Sequence, residues 1–105
     1  MTSPMSLTLS SATAEILAVG RRLDARGLAP ATTGNYSVRL NDGRIAITVS
    51  GRHKGRLVSD DVTQIDLEGH ALHAKPPSAE AALHASVYRL YARAQACLLY
   101  TSRCV

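Results

Sequence analysis

Tyr36-Ser37-Val38-Arg39-Leu40-Asn41-Asp42-Gly43-Arg44-Ile45-Ala46-Ile47-Thr48-Val49 is the stretch on which the fold turns. Tyr36, Val38 and Leu40 alternate with polar residues, which is the period of a strand with one buried face. Asn41-Asp42-Gly43 supplies side chains that tolerate a chain reversal. Ile45, Ile47 and Val49 then resume the alternation. Two such runs about a turn predict a β-hairpin.

Outward from the hairpin the period changes. On the N-terminal side Ile16, Val19 and Leu23 fall at helical spacing, with Ser10 or Ser11 as the cap and Glu15 in the opening turn. Arg21, Arg22 and Arg26 favour the far end and Gly27 suits the C′ position, so a helix is expected over about residues 12–26. On the C-terminal side, residues 50–55 read as a loop and 62–67 as a third strand ended by Glu68-Gly69. Ala71-Leu72 suggests a short fourth strand. Pro76-Pro77-Ser78 breaks the chain and caps a second helix, whose buried stripe is expected at Leu83, Val87, Leu90, Tyr91 and Ala94. Helix, antiparallel strands and helix together predict a mixed α/β sandwich.

The chain has 105 residues, enough for one small domain, and 46% of them are hydrophobic. With no Trp or Phe and four Tyr, the core must be built mainly from aliphatic side chains. A net charge of +4 suits an anionic partner such as a phosphate ester, and the densest basic run is 52–56. A nucleic-acid module is disfavoured: there is no stacking set of aromatics and no zinc-finger, helix-turn-helix or ribonucleoprotein signature. Cys97 and Cys104 do not make a disulfide framework. Residues 1–9 read as a flexible leader without a basic segment and apolar run. No apolar stretch reaches the roughly 18 residues of a membrane span. The expectation is a soluble, cytoplasmic protein that binds no membrane.

Three polar segments stand at the ends of these elements: Ala31-Thr32-Thr33-Gly34-Asn35, Thr48-Val49-Ser50-Gly51-Arg52-His53-Lys54-Gly55 and Lys75-Pro76-Pro77-Ser78-Ala79-Glu80. Glycine lets backbone N–H groups approach an anion closely. The third segment opens a helix, where free N–H groups and the dipole favour a phosphate. Lys54 offers a point charge and Asn35 a neutral amide donor. Brought together, the three would make one phosphate pocket. Taken singly, each has a plainer reading: a strand start, a turn, a helix cap. Glu80 is either a carboxylate favoured by the helix dipole or an acid/base group over a bound substrate. His53 lies in the basic loop, where it would reach a substrate. Glu80 with His84, and His70 with His73, are weaker as metal pairs.

At these same segments the sequence resembles a known family. Gly34-Asn35-Tyr36-Ser37 is similar to the Gly-Asn-x-Ser turn of class II aldolases and adducin-like proteins. Ser50-Gly51 resembles their second phosphate-contacting turn, and Pro77-Ser78-Ala79-Glu80 with the following helix resembles the segment bearing the aldolase acid/base glutamate. Pro30-Ala31-Thr32-Thr33-Gly34-Asn35-Tyr36-Ser37 and the run from Ile45 through Ser50-Gly51-Arg52-His53-Lys54-Gly55 look like the methylthioribulose-1-phosphate dehydratase branch, over roughly residues 7–96. The resemblance implies a class II aldolase-like α/β/α sandwich with a mainly antiparallel central sheet. It implies a lyase of methionine salvage that removes water from 5-methylthioribulose 1-phosphate, with one Zn2+ per subunit as Lewis acid. Asn35, Ser50, Gly51 and Ser78 would hold the phosphate, helped by Gly34 and Lys54, and Glu80 matches the acid/base position. Relatives are often tetramers. The neighbouring readings are a sugar-phosphate aldolase or epimerase, and a non-catalytic adducin-like domain.

After such a second helix the family continues into a strand bearing His-Thr-His, two of the zinc ligands, with a third histidine later. Here those positions fall near Leu99 and Thr101, neither a usual zinc ligand. The metal site is therefore expected to be missing from this chain, and the chain alone to be inactive and poorly soluble. Residues 97–105 back-translate to two transposase mosaic ends joined head to head, as in sequencing-library adapters. The expectation is a family domain over 10–96 with a non-native tail. The other reading of the tail is a short strand.

Overall fold

The computed structural model describes residues 8–27, 34–91, 93, 94 and 96–99. Helix α1 (Leu9–Ala25) starts three residues before the expected position. Its cap is Thr8 rather than Ser10 or Ser11. The Thr8 hydroxyl accepts from the Ser11 N–H at 3.2 Å, and the Ser11 hydroxyl accepts from the Thr8 N–H at 3.0 Å. This reciprocal pair satisfies two donors at once, which an isolated serine cap does not. Of the flexible leader expected over residues 1–9, residues 1–7 lie outside the described residues, Thr8 is the cap and Leu9 is helical. At the other end Gly27 takes φ 67° and donates its N–H to the Asp24 carbonyl at 3.0 Å, as a C′ glycine should.

The hairpin forms as read. Strand β1 (Asn35–Arg39) pairs antiparallel with β2 (Ile45–Thr48), with Ser37 opposite Ile47. Strand β3 (Val62–Ile65) adds to the outside of β2, and β4 (Ala96–Leu99) pairs antiparallel with β1. The sheet order is β3-β2-β1-β4. β3 ends two residues early because the Asp66 carboxylate accepts from the Glu68 and His70 N–H groups, both at 2.9 Å, and turns the chain. Ala71 makes only an isolated bridge to Ile65, so the expected fourth strand at Ala71-Leu72 does not form. Leu57, just after a 3-10 turn at Lys54–Arg56, joins the core beneath α1.

Each face of the sheet is covered. On one, Ala12 and Ile16 of α1 pack with Tyr36, Val38, Leu40, Ala46, Leu57 and Val62. On the other, Ala81, Ala85 and Tyr88 of α2 (Ala81–Leu90) pack with Ile45, Ile47 and Ile65. This double cover is why β2 and β3 are buried at every residue rather than at alternate ones. The result is an α/β/α sandwich.

The buried face of α2 differs from the expected one. Ala81, His84, Ala85 and Tyr88 face the sheet. Leu83, Leu90 and Tyr91 are 49%, 75% and 64% exposed. The cause lies in β1. Its α1-facing side carries Tyr36 and Val38, but its α2-facing side carries Asn35, Ser37 and Arg39, a polar row. A helix laid on polar groups must bring them partners, since an unpaired buried polar group costs about 1–3 kcal/mol. The phase of α2 follows the residues that can hydrogen-bond.

Candidate functional site

The three polar turns meet at one end of the sheet. Asn35 opens β1 immediately after Gly34, which takes φ 89°. Ser50-Gly51 follows β2, with Gly51 at φ 75°; positive φ at both turns suits glycine. The Pro77-Ser78 segment is stitched to the end of β2: Ser78 N–H donates to the Thr48 carbonyl at 2.9 Å, Ser50 N–H to the Pro76 carbonyl at 3.1 Å, and Val49 bridges Pro77. The Ser78 hydroxyl bonds the Asn35 side-chain oxygen, closing the first turn onto the third. Tyr36 N–H reaches the Thr48 hydroxyl at 3.4 Å, holding the first turn beside the second. These contacts join residues far apart in the chain, so the convergence is a property of this fold.

The bonding pattern decides which groups are left to meet an anion. The Ser78 hydroxyl accepts from the Glu80 N–H at 3.1 Å and gives its single proton to Asn35 Oδ1. Asn35 Nδ2 is thereby left as a donor without a partner among the described residues. Among the described residues, Gly51 N–H, Ala79 N–H, the Ser50 hydroxyl and Asn35 Nδ2 make no hydrogen bond. The N–H groups of Ser50 and Ser78 are already committed to carbonyls, so those two residues are able to act on an anion through their hydroxyls and not their amides.

Glu80 is the N-cap residue of α2, immediately before its first turn. Its carboxylate makes no hydrogen bond or ion pair among the described residues and is partly exposed. It stands two residues from Ser78, so a molecule held at the turns would lie within its neighbourhood. Ser78 is not the helix N-cap; it caps the turn before the helix.

The basic loop is built differently from the expectation. Lys54 is only 2% exposed, and Nζ donates to the Arg52 carbonyl at 2.7 Å. Burial pulls its ammonium below the usual lysine range, with Asp61 acting in the opposite direction. The Lys54 carbonyl lies against Gly20 of α1, where any Cβ would collide with it. His53 uses Nδ1 to accept the Gly55 N–H at 3.1 Å and so shapes the loop. Arg52 sits 3.4 Å from Asp61. The Lys54 Nζ–Arg52 and His53 Nδ1–Gly55 bonds thus both lie within this loop.

The remaining histidines are dispersed. His70 pairs with Asp66 at 3.3 Å, and His73 contacts Gln64 at 3.1 Å. His84 is fully buried, with Nδ1 2.6 Å from the Ser37 hydroxyl, which is also 2.8 Å from the Tyr88 phenol. Burial pushes the His84 imidazole down to about 4. The sequence offered His84 only as a weak metal partner; the polar row of β1, at period two from Asn35, was the signal that it would instead pack against Ser37. Among the described residues no group of three or more His, Cys, Asp or Glu is placed to hold a metal ion. The β4 residue paired with Asn35 is Leu99.

Comparison with known proteins adds to this geometry. The family model described as the class II aldolase and adducin N-terminal domain matches residues 14–104. The chain is 55% identical to methylthioribulose-1-phosphate dehydratase from Methylococcus capsulatus over 85 residues, covering 81% of this chain and 42% of that protein. It is 53% identical to the Pseudomonas paraeruginosa dehydratase over 77 residues, covering 72% of this chain and 38% of that one. Among solved structures, YgbL from Klebsiella pneumoniae aligns with TM-score 0.81 at 28% identity, covering 88% of this chain and 44% of that chain. L-fuculose-1-phosphate aldolase from Thermus thermophilus aligns with TM-score 0.71 at 40% identity, covering 82% and 42% respectively. The chain therefore spans about two fifths of the length of the relatives it matches.

Proposed function

Because the chain belongs to the class II aldolase and adducin N-terminal domain family, we propose that its three converging turns form the phosphate grip of a methylthioribulose-1-phosphate dehydratase. The observation that carries this reading is the meeting of Asn35, Ser50-Gly51 and Ser78 at one end of the sheet, with donors left uncommitted among the described residues. A phosphate dianion there would accept from Asn35 Nδ2, the Gly51 N–H and the Ser50 hydroxyl. Charge-assisted bonds of this kind are roughly twice as strong as neutral ones. Ser78 orients Asn35 and, by rotating its hydroxyl, is able to give its proton to the anion instead. Gly34 and Gly51 keep side chains out of the approach. Lys54 braces the loop that carries Ser50 and Gly51.

The substrate class is a sugar 1-phosphate, here 5-methylthioribulose 1-phosphate, dehydrated to the 2,3-diketo phosphate as a step of methionine salvage in the cytoplasm. With the phosphate fixed, the adjacent carbons of the substrate lie in reach of Glu80. Removing water requires a base to take a C–H proton and an acid to protonate the departing hydroxyl. An unpaired carboxylate beside the grip is suited to one of these transfers. A zinc ion would supply Lewis acidity when bound. The residues described do not fit it: Leu99 stands opposite Asn35, and the histidines are scattered. Its ligands would come from a further segment. Assembly of complete subunits into a tetramer belongs to the same proposal.

The test is a chimera in which residues 1–96 replace the matching part of the Methylococcus capsulatus dehydratase. It should dehydrate methylthioribulose 1-phosphate in preference to cleaving fuculose 1-phosphate. Asn35→Ala should raise KM about tenfold or more, as loss of a charge-assisted bond requires, while Glu80→Gln should lower kcat with little change in KM. A chimera that folds and binds zinc but prefers the aldol substrate would overturn the assignment.

A further inference from the structure

We propose that Ser37, His84 and Tyr88 are positioning residues: a buried hydroxyl, imidazole and phenol that set the distance between the turn bearing Asn35 and the turn bearing Ser78 and Glu80. The inference rests on the phosphate reading above and adds residues to it. The three side chains are 1%, 0% and 1% exposed, at the junction of β1 and α2. The Ser37 hydroxyl lies 2.6 Å from His84 Nδ1 and 2.8 Å from the Tyr88 hydroxyl. A serine hydroxyl has one proton, so it donates to one partner and accepts from the other. Neutral imidazole is the better acceptor and phenol the better acid. The chain of bonds therefore runs from Tyr88 O–H to Ser37 Oγ and from Ser37 O–H to His84 Nδ1. His84 then carries its proton on Nε2, an atom with no hydrogen-bond partner among the described residues and no access to solvent.

The location gives the cluster its leverage. Ser37 is two residues from Asn35 and on the same face of β1. His84 is one helical turn from Glu80, and its own N–H donates to the Glu80 carbonyl at 3.0 Å. Apolar neighbours such as Ala81 and Ala85 pack in many registers, whereas two short hydrogen bonds permit one. Any change of side-chain length at these three positions slides α2 along β1 and with it Ser78 relative to Asn35. The grip depends on that spacing, because the Ser78 hydroxyl and Asn35 amide touch.

The experiment uses the 105-residue chain with inorganic phosphate as the probe. Long-range nitrogen–proton spectra should show His84 neutral and protonated on Nε2 at about pH 7. Finding the proton on Nδ1, or an imidazolium, would overturn the proposal without any variant. Calorimetric titration should show Ser37→Ala binding phosphate about tenfold more weakly, the effect of one lost hydrogen bond, with Ser37→Thr within about twofold of the parent. Tyr88→Phe should weaken binding in the same direction, and serves if Ser37→Ala does not fold. Should the parent chain bind no phosphate at the three turns, the phosphate reading fails and this one with it. Should the parent bind and the Ser37→Ala or Tyr88→Phe chain bind equally tightly, only the positioning role is overturned.

Discussion

His84 shows how much a single residue carries in this chain. It is wholly buried, and burial pushes its imidazole down to about 4 from an ordinary 6.5. The native state holds it neutral, while the unfolded chain protonates it near the ordinary value. The unfolded state therefore binds more protons between those limits, and stability falls as pH drops through that window. The loss is complete below the folded value and is on the order of 3 kcal/mol. Urea melts between about pH 7.5 and 4 should show that decline, and His84→Gln should flatten it. An unchanged slope in the variant would mean that another group sets the acid sensitivity. At the same scale, Asn35 and Ser78 were legible as donors from their types and turns. That Ser78 spends its proton on Asn35 was not, because a hydroxyl's direction is fixed only by its three-dimensional partners.

Strand β1 and helix α2 form the decisive pair of elements. Asn35, Ser37 and Arg39 lie on one face of β1 and hold α2 at its approach, middle and end. Arg39 donates to the carbonyls of Tyr88 at 2.8 Å, Tyr91 at 3.1 Å and Ala94 at 2.9 Å, and its guanidinium lies 4.8 Å from the Tyr88 ring centre. A cation on free carbonyls at a helix C-terminus satisfies orphan acceptors and opposes the dipole. Arg39→Ala should cost about 2 kcal/mol and speed amide exchange in the last turn of α2 more than in α1. Equal acceleration in both helices would contradict a local tether. The hairpin was readable because alternation and Asn-Asp-Gly agree. The buried side of α2 was not readable from its leucines, since the row it packs on is polar and selects His84 and Tyr88. Thr8 escaped notice for a similar reason: a reciprocal cap outcompetes two adjacent serines, and only the paired geometry reveals it.

For the molecule as a whole, a sheet covered on both faces explains how 105 residues without Phe or Trp assemble two apolar clusters. No helix among the described residues is long and apolar enough to cross a membrane. The layering and the meeting of the three turns follow from strand order, which places the end of β2 between the start of β1 and the Pro77-Ser78 segment. Sequence alone gave the three segments but not their convergence, because backbone bonds between residues about 30 apart, such as Ser78 to Thr48, leave no local pattern. Titration of the isotope-labelled chain with inorganic phosphate tests the account most directly. The amides of Asn35, Gly51 and Ala79 should shift together along one binding curve, while those on the exposed face of α1 stay still. Separate curves for the three turns, or movement confined to the exposed basic side chains, would contradict it.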